Sequence, residues 1–165
     1  MADAPRARRY VMREKMLSLG DDYWVEDDQG ARVFRVDGKA MRIRDTFVLE
    51  DTTGREVAKI KERKLSIRDK MAIERDGTTI ATVRSAVGWG DRFKIEVEGG
   101  PELKAHGHVV KHDYKIERDG DRVASVSKKW FRIRDSYGVE IEPGQDDALI
   151  LAAVVAMEHM SRDVG

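Results

Sequence analysis

The pentapeptide Ile-Glu-Arg-Asp-Gly occupies residues 73–77 and is repeated at residues 116–120. The likeness continues past the glycine, where Ile-Ala-Thr-Val at 80–83 corresponds to Val-Ala-Ser-Val at 123–126. Asp-Gly between two β-forming segments is a strong hairpin signal, because both residues tolerate the positive φ of a tight turn. The repeat therefore predicts two similar β-hairpins, with the arginines of the phrase on the exposed side of the strand.

Most of the chain follows the same pattern of short strands and turns. Turn signals rich in Asp and Gly recur roughly every ten residues, which is typical of antiparallel sheets. Between them apolar and polar side chains alternate, as where Phe93 and Ile95 are separated by Lys94 and followed by Glu96. Such alternation indicates strands with one face in the core and the other in water. About a dozen short strands fit into residues 9–142. A barrel of that many strands has an interior so wide that another element must occupy it.

A shorter phrase, Ile-Arg-Asp, occurs at 43–45, 67–69 and 133–135. In the first copy the aspartate falls on the apolar side of the strand, where an unbonded carboxylate would be costly. We therefore predict a backbone bend or bulge at Arg44-Asp45, where the aspartate accepts backbone N–H bonds, and the same feature at Asp69 and Asp135.

One segment breaks the alternation. Residues 148–157 form an unbroken apolar run of ten residues, and Asp146 and Asp147 precede it. Aspartate is a common helix N-cap, so we predict a helix near residues 146–160, with its polar end from Glu158 onwards in water. A helix that is apolar on all sides is buried, and a membrane span takes about 20 residues.

These patterns together predict a mainly β chain. We expect a closed antiparallel barrel of about twelve strands around a buried hydrophobic C-terminal helix, which also removes exposed sheet edges. Residues 1–8 are expected to be a flexible lead-in, and residues 9–165 a single domain.

Composition narrows the classes of function. Lys and Arg total 31 and Asp and Glu total 31, so the formal net charge is zero and we expect no nucleic-acid partner. The chain has no cysteine, which excludes disulfides and thiolate chemistry and fits a reducing compartment. It has no apolar core of a signal peptide and no apolar run long enough to span a membrane. We expect a soluble, cytoplasmic monomer without a cofactor.

Histidines supply one candidate site. His106, His108 and His112 lie close together in the sequence. On an extended strand all three would share one face, an arrangement that can present imidazoles to zinc. The alternative is a set of surface histidines in a polar hairpin.

Basic residues supply a second candidate site, in two clusters. The first contains Lys61, Arg63 and Lys64, and the second contains Lys128, Lys129, Arg132 and Arg134. If the strands that carry them are neighbours, the clusters form a cationic strip able to bind anionic lipid head groups or phosphate. Trp130 and Phe131 could then contact a bilayer interface. The alternative is that both clusters are solvated strand faces and the aromatic residues belong to the core.

Other signatures of catalysis are weak. No serine lies in a G-x-S-x-G elbow, and the paired aspartates lie at turns or at the helix start, where they bend or cap the chain. Gly-Trp-Gly-Asp at 88–91 lacks the lysine of a phosphate-binding loop.

The most specific segment of the chain is SKKWFRIRDSYGVEI at 127–141. Together with YVMREK at 10–15 and YWV at 23–25, it resembles bacterial members of the LURP-one-related family, over roughly residues 9–160. The resemblance implies a tubby-like fold, in which a twelve-stranded barrel is threaded by a hydrophobic helix. Related tubby domains bind phosphoinositide head groups, but no motif here matches their lipid-binding residues.

Three hypotheses about function follow. The first, favoured by the resemblance, is a non-enzymatic tubby-like module that binds anionic phospholipid or a protein partner through its outer surface. The second is a metal-dependent hydrolase that uses His106, His108 and His112. The third is a purely structural or interaction protein.

Overall fold

The computed structural model describes residues 4–14, 22–38, 46–63, 70–86, 92–130 and 134–162. Within them the chain forms twelve β-strands followed by one α-helix. The elements are β1 (Arg8–Arg13), β2 (Tyr23–Asp27), β3 (Arg32–Asp37), β4 (Thr46–Asp51), β5 (Glu56–Arg63), β6 (Lys70–Arg75), β7 (Thr78–Ser85), β8 (Phe93–Val97), β9 (Leu103–His108), β10 (Asp113–Arg118), β11 (Asp121–Ser127), β12 (Ser136–Ile141) and α1 (Asp147–Arg162).

The sheet closes on itself. Each strand pairs antiparallel with the next along the chain, and β1 also pairs with β12, from Arg8 opposite Ile141 to Arg13 opposite Ser136. Closure leaves none of the described strands with an unpaired edge, which removes the usual template for edge-to-edge aggregation. The predicted closed antiparallel barrel of about twelve strands is confirmed.

The antiparallel order gives the barrel two distinct rims. The helix-entry rim, where β12 ends and α1 begins, carries Asp146 and Asp147. The helix-exit rim, where the odd-numbered strands end, carries Glu14 and the last turns of α1, including Glu158. The candidate site lies at the helix-exit rim.

The repeated phrase forms the β6–β7 and β10–β11 hairpins. Asp76 and Gly77 have φ angles of 51° and 78°, and Asp119 and Gly120 have φ angles of 50° and 84°. Two successive positive φ angles define a type I′ turn, whose twist matches that of the flanking strands. The predicted pair of similar hairpins is confirmed.

The repeat also includes a backbone irregularity. The strand register shifts between Ile73 and Glu74 in the first hairpin and between Ile116 and Glu117 in the second. Such β-bulges bend a strand and increase its twist, which helps a sheet to close. The phrase therefore encodes a bend as well as a turn.

The third copy of the Ile-Arg-Asp phrase ends at Asp135, at the start of the last described segment. Asp135 has a φ of 57° in the turn that precedes β12, so the predicted bend is present there. Asp45 and Asp69 lie outside the described residues.

The helix fills the barrel. Every residue from Leu149 to Glu158 is buried, against inward-facing strand residues such as Ile60, Ile95 and Val139. A helix surrounded on all sides accounts for an apolar run without a polar face. The predicted buried C-terminal helix is confirmed. No helix in the described ranges combines the length and the apolar character needed to cross a membrane.

The start of β1 is tied to the start of α1. Arg8 and Tyr10 donate hydrogen bonds to the carboxylate of Asp147. Arg8, the last residue of the predicted lead-in, is therefore the first residue of the barrel.

Arginines of the repeated phrase donate hydrogen bonds to the segment that precedes α1. Arg75 donates two hydrogen bonds to Asp146, at 2.8 and 3.0 Å, and the equivalent Arg118 donates one to Gln145 at 3.0 Å. Asp146 also accepts the backbone N–H of Leu149 at 3.2 Å, as an N-cap. The two hairpins thus bind the same segment through equivalent residues, whereas the sequence predicts arginines that merely face solvent.

We expect Asp146→Asn to remove a pH-dependent part of the stability. Burial raises the pKa of Asp146, but hydrogen bonds from Arg75 and the backbone of Leu149 outweigh burial and hold that pKa below its ordinary value of 3.8. A carboxyl group with a lowered pKa in the folded state stabilises the fold above its unfolded pKa and ceases to do so as the pH falls through its folded pKa. The wild type should therefore unfold with a larger free energy than the variant at neutral pH, and the difference should shrink below about pH 4. Urea titrations across this range measure it, and a constant difference would contradict the assignment.

Candidate anion-binding surface

The two basic clusters lie on opposite walls of the barrel. Lys61 and Arg63 belong to β5, while Lys128 and Lys129 follow β11, and five strands separate β5 from β11 in either direction. The condition for one continuous strip, that the two strands are neighbours, is therefore not met. Lys64 and Arg132 lie outside the described residues.

The cluster on β5 is largely neutralised by carboxylates. Lys61 Nζ lies 3.1 Å and Arg63 Nη2 lies 3.9 Å from the carboxylate of Glu74 on β6. The surface depression of about 610 Å³ beside them is also lined by Glu56 and Glu62. Mixed charges of this kind are typical of a solvated, ion-paired sheet face.

Fewer cations of the cluster after β11 are paired with carboxylates. Lys128 forms an ion pair with Glu14, whereas no carboxylate among the described residues pairs with the exposed Lys129 or Arg134. The guanidinium of Arg9 lies 5.1 Å from the ring centre of Trp130, so this tryptophan lies against an exposed side chain and is not part of the core. Phe131 lies outside the described residues.

The β9–β10 turn meets this cluster at the helix-exit rim. His112 Nε2 lies 3.7 Å from the same Glu14 oxygen that Lys128 contacts. Val110, at the tip of the turn, is 64% exposed and is the one exposed large hydrophobic residue of the described chain. Lys111 beside it is also exposed. We call Val110, Lys111, Lys128 and Lys129 the exit-rim patch.

A buried carboxylate lies beneath the turn. Glu158 is 2% exposed, accepts a hydrogen bond from the Tyr114 hydroxyl at 3.0 Å, and lies 2.9 Å from His112 Nδ1 in an electrostatic contact that is not an aligned hydrogen bond. Burial and the charge of Glu158 raise the pKa of Tyr114 well above its ordinary value, so the phenol remains a donor. The sequence predicts Glu158 in water, but the barrel extends one turn further along α1 and encloses it.

The three histidines do not converge. His106 is exposed on β9, with Nε2 3.2 Å from the carboxylate of Glu117, and His108 is the exposed last residue of that strand. His112 has a φ of 52° and is buried, with its ring stacked on Tyr137 at 4.3 Å. The predicted common face is wrong, because the turn after His108 interrupts the alternation.

No group of three histidine, aspartate or glutamate side chains in the described ranges is placed to hold a metal ion. The geometry at His106, His108 and His112 therefore gives no support to the hydrolase hypothesis.

Sequence reasoning missed a second cationic surface. Lys94 on β8 and Lys104 on β9 face each other across the strand pair, and both are exposed. With Arg92 and His106 they line a depression of about 410 Å³. Lys94 and Lys104 are equally far from Gly99 along the sequence, and Gly99 lies in the turn between the two strands. This symmetry is the signal that could have revealed the pairing.

The barrel threaded by its C-terminal helix defines the structural class, and the comparisons identify the family. The chain belongs to the LURP-one-related family, whose model matches residues 8–158. The X-ray structure of a protein from Arabidopsis thaliana is similar, with a TM-score of 0.71 and 19% sequence identity over 98% of this chain and 93% of that chain. At this identity the likeness concerns the fold alone. No curated protein sequence matches the chain. The resemblance to bacterial members stays a prediction.

Proposed function

We propose that this chain is a non-enzymatic barrel module that binds anionic phospholipid through the exit-rim patch. Family membership and the barrel support a non-catalytic domain. The polar groups enclosed at the rim, Glu158, Tyr114 and His112, contact one another, which supports a structural role for them. We also propose a cytoplasmic location, on the lack of cysteine.

The exposed Val110 carries the proposal. It is held at the tip of a turn whose flanking residues, Val109 and His112, are both buried. An apolar side chain displayed on an anchored turn beside lysines suits the surface of an anionic bilayer, where apolar groups enter the acyl boundary and ammonium groups face phosphate.

The expected affinity is weak and sensitive to salt. Fully burying a valine side chain gives about 1.5–3 kcal/mol, and each lysine near an anionic surface adds about 1 kcal/mol. Lys111 and Lys129 contribute fully, whereas Lys128 contributes less because Glu14 already neutralises it. Binding of this size is reversible and needs a substantial fraction of anionic lipid.

Sedimentation with vesicles tests the proposal. The wild type should bind phosphatidylcholine vesicles that contain phosphatidylserine, and Lys129→Glu should lower the partition coefficient roughly thirtyfold, since it removes one positive charge and adds one negative charge. Arg55→Glu is the matched control, because Arg55 is exposed in the turn between β4 and β5 at the helix-entry rim and the change in net charge is the same.

The control variant should retain binding within about threefold of the wild type. Equal losses in the two variants would show that net charge, rather than the patch, controls binding. A wild type that does not sediment with the anionic vesicles would refute the lipid proposal.

A further inference from the structure

The outer wall over β8 and β9 carries a pocket separate from the exit-rim patch. Its volume is about 410 Å³, at the small end of the range for ligand sites. Arg92, Lys94, Lys104 and His106 supply its polar lining, while Phe93 and Ala105 supply apolar lining. β8 also pairs with β7, and β9 also pairs with β10, so both strands beneath the pocket are paired on each side.

The opposed lysines are the unusual feature of this pocket. Lys94 and Lys104 are direct cross-strand partners, and like charges directly opposite one another destabilise a sheet. No carboxylate in the described part of the chain forms an ion pair with Lys94, Lys104 or Arg92. Among the described residues, these three cations therefore line one pocket without a carboxylate in ion-pair contact.

Two carboxylates on the neighbouring sheet positions are paired with other residues. Glu96, in line with Lys94 on β8, is bound by Arg84 at 3.0 Å. Glu117 stands opposite Lys104 across the β9–β10 pair, but its carboxylate lies 3.2 Å from His106. The sheet thus contains acids that could neutralise the lysines, and they are held away from them.

From this geometry we propose that the pocket binds a phosphate monoester. Two lysines and one arginine line this concave surface, which matches the charge and the several acceptor oxygens of a phosphoryl group. The apolar lining and the volume leave room for a small organic group beside the phosphate. A free phosphorylated metabolite and the head group of phosphatidic acid share this chemistry.

Two-dimensional ¹H–¹⁵N NMR titrations test the pocket with three probes, namely inorganic phosphate, glycerol 3-phosphate and vesicles that contain phosphatidic acid. We expect saturable shifts of the amides of Lys94, Lys104 and Ala105. The double variant Lys94→Gln/Lys104→Gln should raise the Kd about tenfold or more, as expected for losing two charge-assisted contacts. Lys59→Gln on β5, on another wall, is the matched control and should change the Kd by less than about twofold.

The outcomes separate the two sources of the ligand. Binding of phosphate and glycerol 3-phosphate supports a soluble ligand. To separate the pocket from the exit-rim patch, the vesicle arm uses a Lys129→Glu background, and binding of the phosphatidic acid vesicles alone, lost when Lys94→Gln/Lys104→Gln is added, supports a lipid head group. No saturable shift at these amides with any probe, or an unchanged Kd in the double variant, would overturn the proposal.

Two further measurements exclude trivial explanations. The double variant should melt at the same temperature as the wild type or higher, because the opposed charges repel, so a loss of binding cannot be attributed to unfolding. Lys129→Glu should leave the phosphate titration unchanged, which separates this pocket from the exit-rim patch.

Discussion

Leu151→Asp is expected to abolish folding. Leu151 is 0% exposed, in the second turn of α1, where the barrel surrounds the helix on every side. A lone carboxylate there has no partner and no water, and an unpaired buried charge costs several kcal/mol. Because a domain of this size has a total stability of about 5–15 kcal/mol, this single change removes most or all of it. Near-UV circular dichroism and urea unfolding measure the loss.

Val110→Asp is the matched control for this experiment. It introduces the same carboxylate at an apolar residue that is 64% exposed, so its free energy of unfolding should lie within about 0.5 kcal/mol of the wild type. A Leu151→Asp variant that unfolds cooperatively with native-like spectra would show that the helix is not enclosed by the barrel.

Gly107→Ala is expected to destabilise the fold by about 3 kcal/mol or more, through backbone strain and a clash together. Gly107 has a φ of 133°, and an added Cβ would lie 2.7 Å from the carbonyl oxygen of Asp113 and 2.7 Å from Cα of Tyr114. Those atoms belong to the paired strand β10, so they cannot move away without breaking the β9–β10 ladder. Urea unfolding of the variant measures the loss.

Gly100→Ala provides the comparison on the neighbouring turn. Gly100 lacks a positive φ, and its added Cβ would meet only the side chain of Val97, at an ordinary distance of 3.5 Å. Its stability should change by less than about 1 kcal/mol, since a compatible Gly→Ala change mainly restricts the unfolded chain. Equal effects at the two glycines would contradict the packing described between β9 and β10.

The features that the sequence predicts correctly depend on local chemistry. Asp76-Gly77 and Asp119-Gly120 set their own turns through positive φ angles, and the bend at Asp135 is set in the same way. The apolar run of α1 can be identified from the sequence alone, because a helix without a polar face must be buried by other parts of the protein. Closure of the barrel follows from the number of strands and the need to cover that helix.

The features that the sequence does not predict depend on register and on distant neighbours. Arg75 and Arg118 bind the segment before α1 because closure brings the ends of β6 and β10 to the same rim. Lys94 faces Lys104 only once the β8–β9 register is fixed.

The common face expected of the three histidines is absent for a related reason. The spacing of His106, His108 and His112 places them on one face only if the strand continues through all three. Instead, a turn of four residues, 109–112, separates the end of β9 from the start of β10. Side-chain parity cannot be carried through such a turn, so His112 packs inside the rim while His106 faces outwards.

Vesicle flotation of the wild type at two salt concentrations tests whether the exit-rim patch binds anionic lipid. The Debye length falls from about 10 Å at 0.1 M salt to about 3 Å at 1 M, so binding through exposed lysines should be strong only at the lower concentration. We predict flotation with phosphatidylserine-containing vesicles at low salt, release at high salt, and no flotation with vesicles of phosphatidylcholine alone. A protein that floats with neither kind of vesicle, or equally with both at either salt concentration, would rule out binding through these lysines.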